Sequence, residues 1–382
     1  MENYIGLSVP NLKGNELKYT IEAIETGWVS TAGPSVSKFE ENIASYLGME
    51  DAVACQSGTA GLHLAMLALG VQKNELVIVS TLTFIAAVNP ISYVQASPVF
   101  MDCDSSLTMD PKKVRKYLEE ECEKREDGVY DKSLDRKVSA MVVVHVFGNM
   151  ADMEKLVNIS KEYEIPIIED ATEALGTYYT KGRYEGKYAG CIGDIGVFSF
   201  NGNKIITTGG GGMVVSNNPE YLRHIRHLST QAKADQLYFD HDEIGYNYRM
   251  GNVQASIGIG QLELLEDFIK IKNENYERYK ENGLKLLEFR KGTRANKWFY
   301  SYVTDNRDEL IEWLKQRKIQ TRPIWKLIHT LEPYRECRAY EISCAEQYYE
   351  KILNIPCSTS LTAQEVDCVS EAIRNCEHEA RE

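Results

Sequence analysis

The sequence lacks the features that would place it outside ordinary soluble globular proteins. It has no Cys-x-x-Cys pair: its nine cysteines (55, 103, 122, 191, 337, 344, 357, 368 and 376) are odd in number and dispersed. That pattern fits reduced thiols better than a disulfide framework. No apolar run approaches the roughly 18–20 residues needed to cross a bilayer. The opening stretch, MENYIGLSVPNLKGNELKY, has no basic segment followed by an apolar one, so no secretion signal is expected. Basic charge is in deficit, with 43 Lys and Arg against 56 Asp and Glu and a net charge of −13. That balance argues against a general nucleic-acid binder. There is no internal repeat and no low-complexity tract. His224 and His227 stand three apart on a helical stretch, but no third ligand lies close by, so a metal site is not expected. A soluble, cytoplasmic protein is the expectation, with no membrane and no nucleic-acid partner.

What is present is an alternation. The length of 382 residues is enough for two domains with a large core. Helical spacing is expected over about Asn15–Glu25, Val36–Leu47, Pro111–Lys124 and Ala151–Tyr163. Between and after these fall short apolar runs: Ala52–Cys55, Leu76–Val79, Pro98–Asp102, Val138–Val146 and Ile165–Asp170. Strands alternating with helices indicate a parallel, doubly wound α/β sheet. Past residue 216 a helix runs from Asn218 through Leu228. A long helix is expected from Val253 to about Phe289, with a break near 283. The composition then shifts, and Trp298–Val303, Asp308–Arg317 and Ala363–Cys376 suggest a smaller α+β part. The expected division is residues 1–255 and 256–382.

Chemistry concentrates where apolar runs end in polar residues, as buried strands do at the ligand-binding edge of such a sheet. One run ends in Glu169-Asp170, with Glu173 just beyond. Another, Val197-Phe198-Ser199, is followed five residues later by Lys204, and then by Gly209 to Gly212. The glycine run has neither G-x-G-x-x-G spacing nor G-K-[ST], which weakens dinucleotide and P-loop readings. Upstream, Ser57-Gly58-Thr59 turns a strand into a helix and aims hydroxyls and N–H groups at one place, which suits a phosphate. N-capping alone would also explain that turn. A carboxylate, a lysine and a phosphate-binding turn together suit a flat, anionic, nitrogen-containing cofactor, pyridoxal phosphate (PLP). Other features stay open. Phe84 can lie over a planar cofactor or join the core. The Gly-rich loop 26–34 can be a connector with Trp28 packed inward, the favoured reading, or a loop that contacts substrate. His145 can face the cofactor or be a hydrogen-bonded core residue.

The order Ser57-Gly-Thr59-Ala, Thr83-Phe84-Ile-Ala, Glu169-Asp170-Ala, Phe198-Ser199-Phe to Lys204, and Gly245-Tyr-Asn247-Tyr-Arg249 resembles the DegT/StrS-type sugar aminotransferases. Within them, LSVPNLKGNE, EDATEALG and FSFNGNKIITTGGGGM look most like legionaminic-acid-type 4-aminotransferases. The resemblance implies a PLP fold-type I (aspartate-aminotransferase-like) large domain with a mixed, mostly parallel sheet. It implies that Lys204 joins the cofactor's aldehyde and then moves the proton. Asp170 would pair with the ring nitrogen, Ser57, Gly58, Thr59 and Ser199 would bind the phosphate, and Phe84 would stack on the ring. Glu173 stands where many relatives carry Gln near the ring hydroxyl; a charged Glu there would repel a phenolate, so Glu173 would be either protonated or turned aside. Asn247 would reach the cofactor phosphate of the other subunit of a homodimer with shared active sites. The implied reaction moves an amino group from L-glutamate, through the pyridoxamine (PMP) form, to a UDP- or GDP-linked 4-keto-6-deoxy-2-acetamido sugar destined for a cell-surface polysaccharide. A sugar dehydratase, in which His replaces the lysine, is disfavoured by Lys204. A sensing protein that keeps the fold without turnover is the other alternative.

Overall fold

A computed structural model describes residues 4–235 and 237–379. Its centre is a ten-stranded sheet, eight of whose strands run in the order Ala52–Cys55, Gly212–Val215, Ile195–Ser199, Ile167–Asp170, Arg136–Val144, Leu76–Ser80, Ser97–Met101, Ala339–Tyr340, while Cys122–Arg125 and Gly128–Asp131 lie off this path. From Ile195–Ser199 to the Ala339–Tyr340 edge the pairing is parallel. The strands Ala52–Cys55 and Gly212–Val215 run antiparallel to their neighbours. The sheet is thus mixed and mostly parallel. Its inner strands are buried along nearly their whole length, because helices cover both faces, which is why they read as unbroken apolar runs.

Helix starts follow local chemistry. Asp110, Asp152 and Asn218 accept N–H groups from the first turns of the helices that follow them, Pro111–Glu120, Met153–Tyr163 and Pro219–Ser229, and Pro at N1 fixes φ in two of these. Three expectations change. The helix after Pro111 ends at Glu120, and the next residues form a hairpin, Cys122–Arg125 with Gly128–Asp131, that extends the sheet beside Arg136–Val144. The long helix expected from Val253 is two helices, Asn252–Leu262 and Leu265–Glu281. No Gly or Pro marks the break. Packing makes it: Glu263 is held by Asn15 at 2.6 Å and by the Tyr19 hydroxyl at 2.7 Å, both at the start of the chain. Gly283, at φ +86, lies just past the end of the second helix, and the chain beyond it is not helical. Trp28 is half exposed rather than packed inward, because its loop is anchored through backbone: Asn252 Nδ2 donates to the Trp28 carbonyl at 2.8 Å.

The later residues build a three-stranded sheet, Tyr300–Val303, Ile352–Ile355 and Arg322–Pro323, with the helices Arg307–Gln316 and Ala363–Glu379 packed beside it. They do not stand apart from the large sheet. Ala339–Tyr340 extends its edge, and Trp298 and Trp325 reach the cavity at the strand ends. Among the described residues, no helix is long and apolar enough to cross a membrane.

Candidate active site

The parallel strands end together at Val144, Asp170 and Ser199, where an α/β sheet binds its ligands. A cavity of about 330 Å³ opens there, lined by residues that include Ser57, Gly58, Thr59, Phe84, Asp170, Glu173, Ser199 and Lys204. Eight of the nine expected site residues therefore meet in one place. Asn247 does not. It is exposed, paired by a β-bridge to Thr230, and does not line this cavity.

The Ser57–Thr59 turn is shaped by tight packing. The Ser57 hydroxyl accepts the Ala60 N–H at 3.0 Å and caps the helix Gly58–Ala68, whose first N–H groups have no partner within the helix. A Cβ on Gly58 would lie 2.8 Å from Thr172 Cγ2 and 3.0 Å from Ser199 Cβ, so only glycine lets the helix start approach both strand ends. A Cβ on Gly212 would lie 2.6 Å from Ser57 C and O. The glycine run thus lets an adjacent strand pass directly beneath the turn.

Asp170 is fully buried at the end of its strand and accepts the Thr172 N–H at 3.1 Å. Burial pushes its carboxyl up, with the Thr172 hydrogen bonds and the Lys204 charge opposing. Among the described residues, no cation comes within ion-pairing distance of Asp170. A buried carboxylate of this kind calls for a cationic partner, and a protonated ring nitrogen supplies one. The residues present therefore fit PLP: a helix N-terminus with hydroxyls for the phosphate, a carboxylate for the ring nitrogen, and a lysine.

Lys204 follows the turn that begins at Asn201, whose carbonyl accepts the Lys204 N–H at 3.0 Å. Its ammonium lies 3.6 Å from Glu173 Oε1 and 4.0 Å from the centre of the Trp298 ring. Glu173 is buried, and its other oxygen accepts the Phe147 N–H at 2.8 Å. Burial pushes its carboxyl up to about 7, with the charge of Lys204 as the main opposing influence.

Phe84 is half exposed at the mouth, with Trp325 ring to ring at 6.1 Å. His145 is a core histidine: its Nε2 lies 2.9 Å from Glu169 and its Nδ1 accepts the Ala151 N–H at 3.1 Å. Of three polar or aromatic residues from the C-terminal part, Arg322 is exposed, Trp325 lines the cavity, and His329 lies 2.7 Å from the Thr81 hydroxyl. Arg249, in the Gly245–Arg249 motif, pairs with buried Glu40 at 2.5 Å, which braces the helix Pro34–Leu47. His224 and His227 pair with Glu243 and Asp242, and no metal-binding cluster occurs among the described residues. Sequence reasoning missed Trp298 as a site residue. It opens an expected strand, and nothing local says that its ring crosses to Lys204.

Sheet, cavity and side chains define a fold-type I PLP enzyme. Comparison with known proteins agrees: the DegT/DnrJ/EryC1/StrS aminotransferase family matches residues 10–374, and the chain belongs to that family. It is a PLP-dependent aminotransferase. The chain is 36% identical to GDP-perosamine synthase of Escherichia coli O157:H7, over 97% of this chain and 98% of that protein. It is 30% identical to the UDP-4-amino-4,6-dideoxy-N-acetyl-beta-L-altrosamine transaminase of Campylobacter jejuni (strain 81-176), over 90% of each. Among solved structures, the aminotransferase TlmJ from Streptoalloteichus hindustanus superposes with a TM-score of 0.89 at 27% identity, covering 99% of this chain and all of that one.

Proposed function

We propose that the enzyme transfers an amino group from L-glutamate to the 4-keto carbon of a UDP- or GDP-linked 4-keto-6-deoxy-2-acetamido sugar, as legionaminic-acid-type 4-aminotransferases do. The observation that carries the chemistry is the convergence of buried Asp170, Lys204 and the Ser57–Thr59 helix start on one cavity. The relatives that act on GDP- and UDP-linked amino sugars support the substrate class.

When bound, PLP supplies an electron sink for the charge that develops as a proton leaves the donor carbon. Asp170 holds the ring nitrogen protonated. Ser57, Gly58, Thr59 and Ser199 bind the phosphate, and Phe84 covers the ring at the mouth. Lys204 would carry the cofactor and, once its amine is free, its Nζ would take the proton from one carbon and deliver it to the other, between the cofactor and the substrate. Glu173 stands on the ring-hydroxyl side in this reading. The division of the chain near residue 255 belongs to the same reading.

The enzyme works as a homodimer, in which the partner subunit's Asn247 reaches the cofactor phosphate. Exposed apolar side chains support this assembly: Leu17, Ile21 and Ile24 on the first helix, and Leu237, Tyr238 and Phe239 between the paired short strands Lys233–Asp235 and Asp240–His241, ahead of Asn247.

A visible spectrum tests the chemistry. Purified protein with PLP is expected to show a yellow lysine-linked band that L-glutamate bleaches, and Lys204→Ala is expected to lack it. A Lys204→Ala protein that keeps the band removes Lys204 from its role, and a wild type that stays colourless removes the cofactor. Transfer of ¹⁵N from glutamate to UDP- and GDP-linked keto sugars then decides the carrier.

A further inference from the structure

Trp298, Glu173 and Lys204 meet in the lining of the cavity. Trp298 is almost fully buried and fixed on every side. Its N–H donates to Phe147 O at 3.1 Å and to Asn296 Oδ1 at 3.0 Å. Its carbonyl accepts from Lys272 Nζ at 2.8 Å, and its indole N–H donates to Asn203 O at 2.6 Å. The ring face is thereby presented to Lys204, 4.0 Å from the ammonium, where an indole attracts a cation. On the same ammonium, Glu173 Oε1 stands at 3.6 Å.

The Glu173 side is prepared too. Phe147 lies in the left-handed region at φ +56, a conformation that costs a non-glycine residue energy and persists only where the surroundings enforce it. There it directs its N–H to Glu173 Oε2 at 2.8 Å, leaving Oε1 for Lys204. Asn296 fixes the Glu173 carbonyl at 2.9 Å. Strained backbone is thus used to aim one carboxylate at one lysine.

We propose that Glu173 is the proton-exchange partner of Lys204, and that Trp298 is the positioning residue that keeps the lysine amine within reach. The inference rests on the reading of Lys204 as the cofactor-bearing lysine. When that amine is free, a proton passes from Nζ to Oε1, leaving a neutral amine beside a neutral carboxylic acid, and returns by the same path; no other bond changes. A neutral amine is what can take a proton from carbon, and burial, by penalising two separate charges, brings the neutral pair within reach of the charged one. A gap of 3.6 Å is of the kind that tightens in a working complex. The carboxyl, raised to about 7 by burial, matches that task near neutral pH. The charged groups facing Glu173 are Lys204, which lowers it, and Asp170, which raises it; His145, behind Asp170, is bonded to Glu169.

The test uses full-length protein stripped of cofactor. Infrared difference spectra against pH are expected to show a carboxylic-acid signal titrating near neutrality, absent in Glu173→Gln, and moved to higher pH in Lys204→Ala once the opposing charge is gone. Labelling of Lys204 by an amine-reactive reagent at neutral pH, followed by peptide mass spectrometry, is expected to accelerate several-fold in Glu173→Gln and in Trp298→Leu. It should stay near wild type in Trp298→Phe, which keeps an aromatic face. A Glu173 signal unmoved by Lys204→Ala, or equal labelling in wild type and Glu173→Gln, overturns the proposal. Glu173→Asp, which retracts the carboxylate by one methylene, is expected to accelerate labelling as well and serves if Glu173→Gln fails to fold. These readouts need no cofactor. Failure of the lysine's cofactor role would instead appear as a yellow band retained by Lys204→Ala.

Discussion

Gly212→Ala isolates the packing beneath the Ser57–Thr59 turn. The added Cβ would lie 2.6 Å from the carbonyl carbon and oxygen of Ser57 and 2.8 Å from the Gly58 nitrogen. All three are backbone atoms, so no side chain can swing away. The turn must retreat by about 0.8 Å to reach ordinary contact at 3.4 Å. Overpacking of this kind costs about 1–3 kcal/mol. The retreat also carries the Ser57 hydroxyl and the first helical N–H groups away from the position proposed for the phosphate. Displacement of binding groups by an ångström can cost on the order of 100-fold, so cofactor affinity is expected to fall by roughly tenfold to 100-fold. Thermal melting of the cofactor-free protein reads the first effect, and a PLP titration followed by visible absorbance reads the second. Gly202→Ala is the control, since a Cβ there meets nothing within 4 Å and should change neither. If Gly212→Ala matches Gly202→Ala in both assays, the close approach of strand and turn does not shape the site.

Asp170→Asn is expected to retain PLP through the phosphate turn yet lose at least about 100-fold in turnover, the scale of removing one group placed to stabilise developing charge; single-turnover bleaching by glutamate checks it. Glu173 sets a pH dependence. Its carboxyl titrates near 7 in the fold against an ordinary 4.5, so the folded chain binds more protons than the unfolded one across that window and stability falls as pH rises through it. Urea midpoints of cofactor-free Glu173→Gln, compared with wild type at about pH 5 and about pH 8, are expected to lose up to roughly 3 kcal/mol of that fall; an unchanged slope would show that Glu173 does not titrate there. Glu40 accepts from Arg249, Arg226 and the Ala54 N–H. Glu40→Ala leaves Arg249 without its partner and is expected to destabilise by about 3–5 kcal/mol in a urea melt.

Most of the fold could be read from the sequence because its causes are local. Ile167–Asp170 and Ile195–Ser199 are apolar runs ending in polar residues, and the Asp110, Asp152 and Asn218 caps sit where their helices begin. Asp170, Lys204 and the Ser57–Thr59 turn were legible for the same reason: each stands at a strand end or helix start, and parallel strands bring those ends to one edge. Tertiary structure decided what depended on distant partners. The helix break at 263–264 has no local signal, since it is made by Asn15 and Tyr19 at the far end of the chain. His145 belongs to the core because Glu169 and Ala151 occupy both its nitrogens, and Trp28 faces outward because Asn252 holds its backbone. Trp298 looked like the start of a strand. Only the folded chain lays its ring on Lys204 and sets Glu173 opposite, because side chains this far apart in sequence meet through packing, which no local spacing encodes.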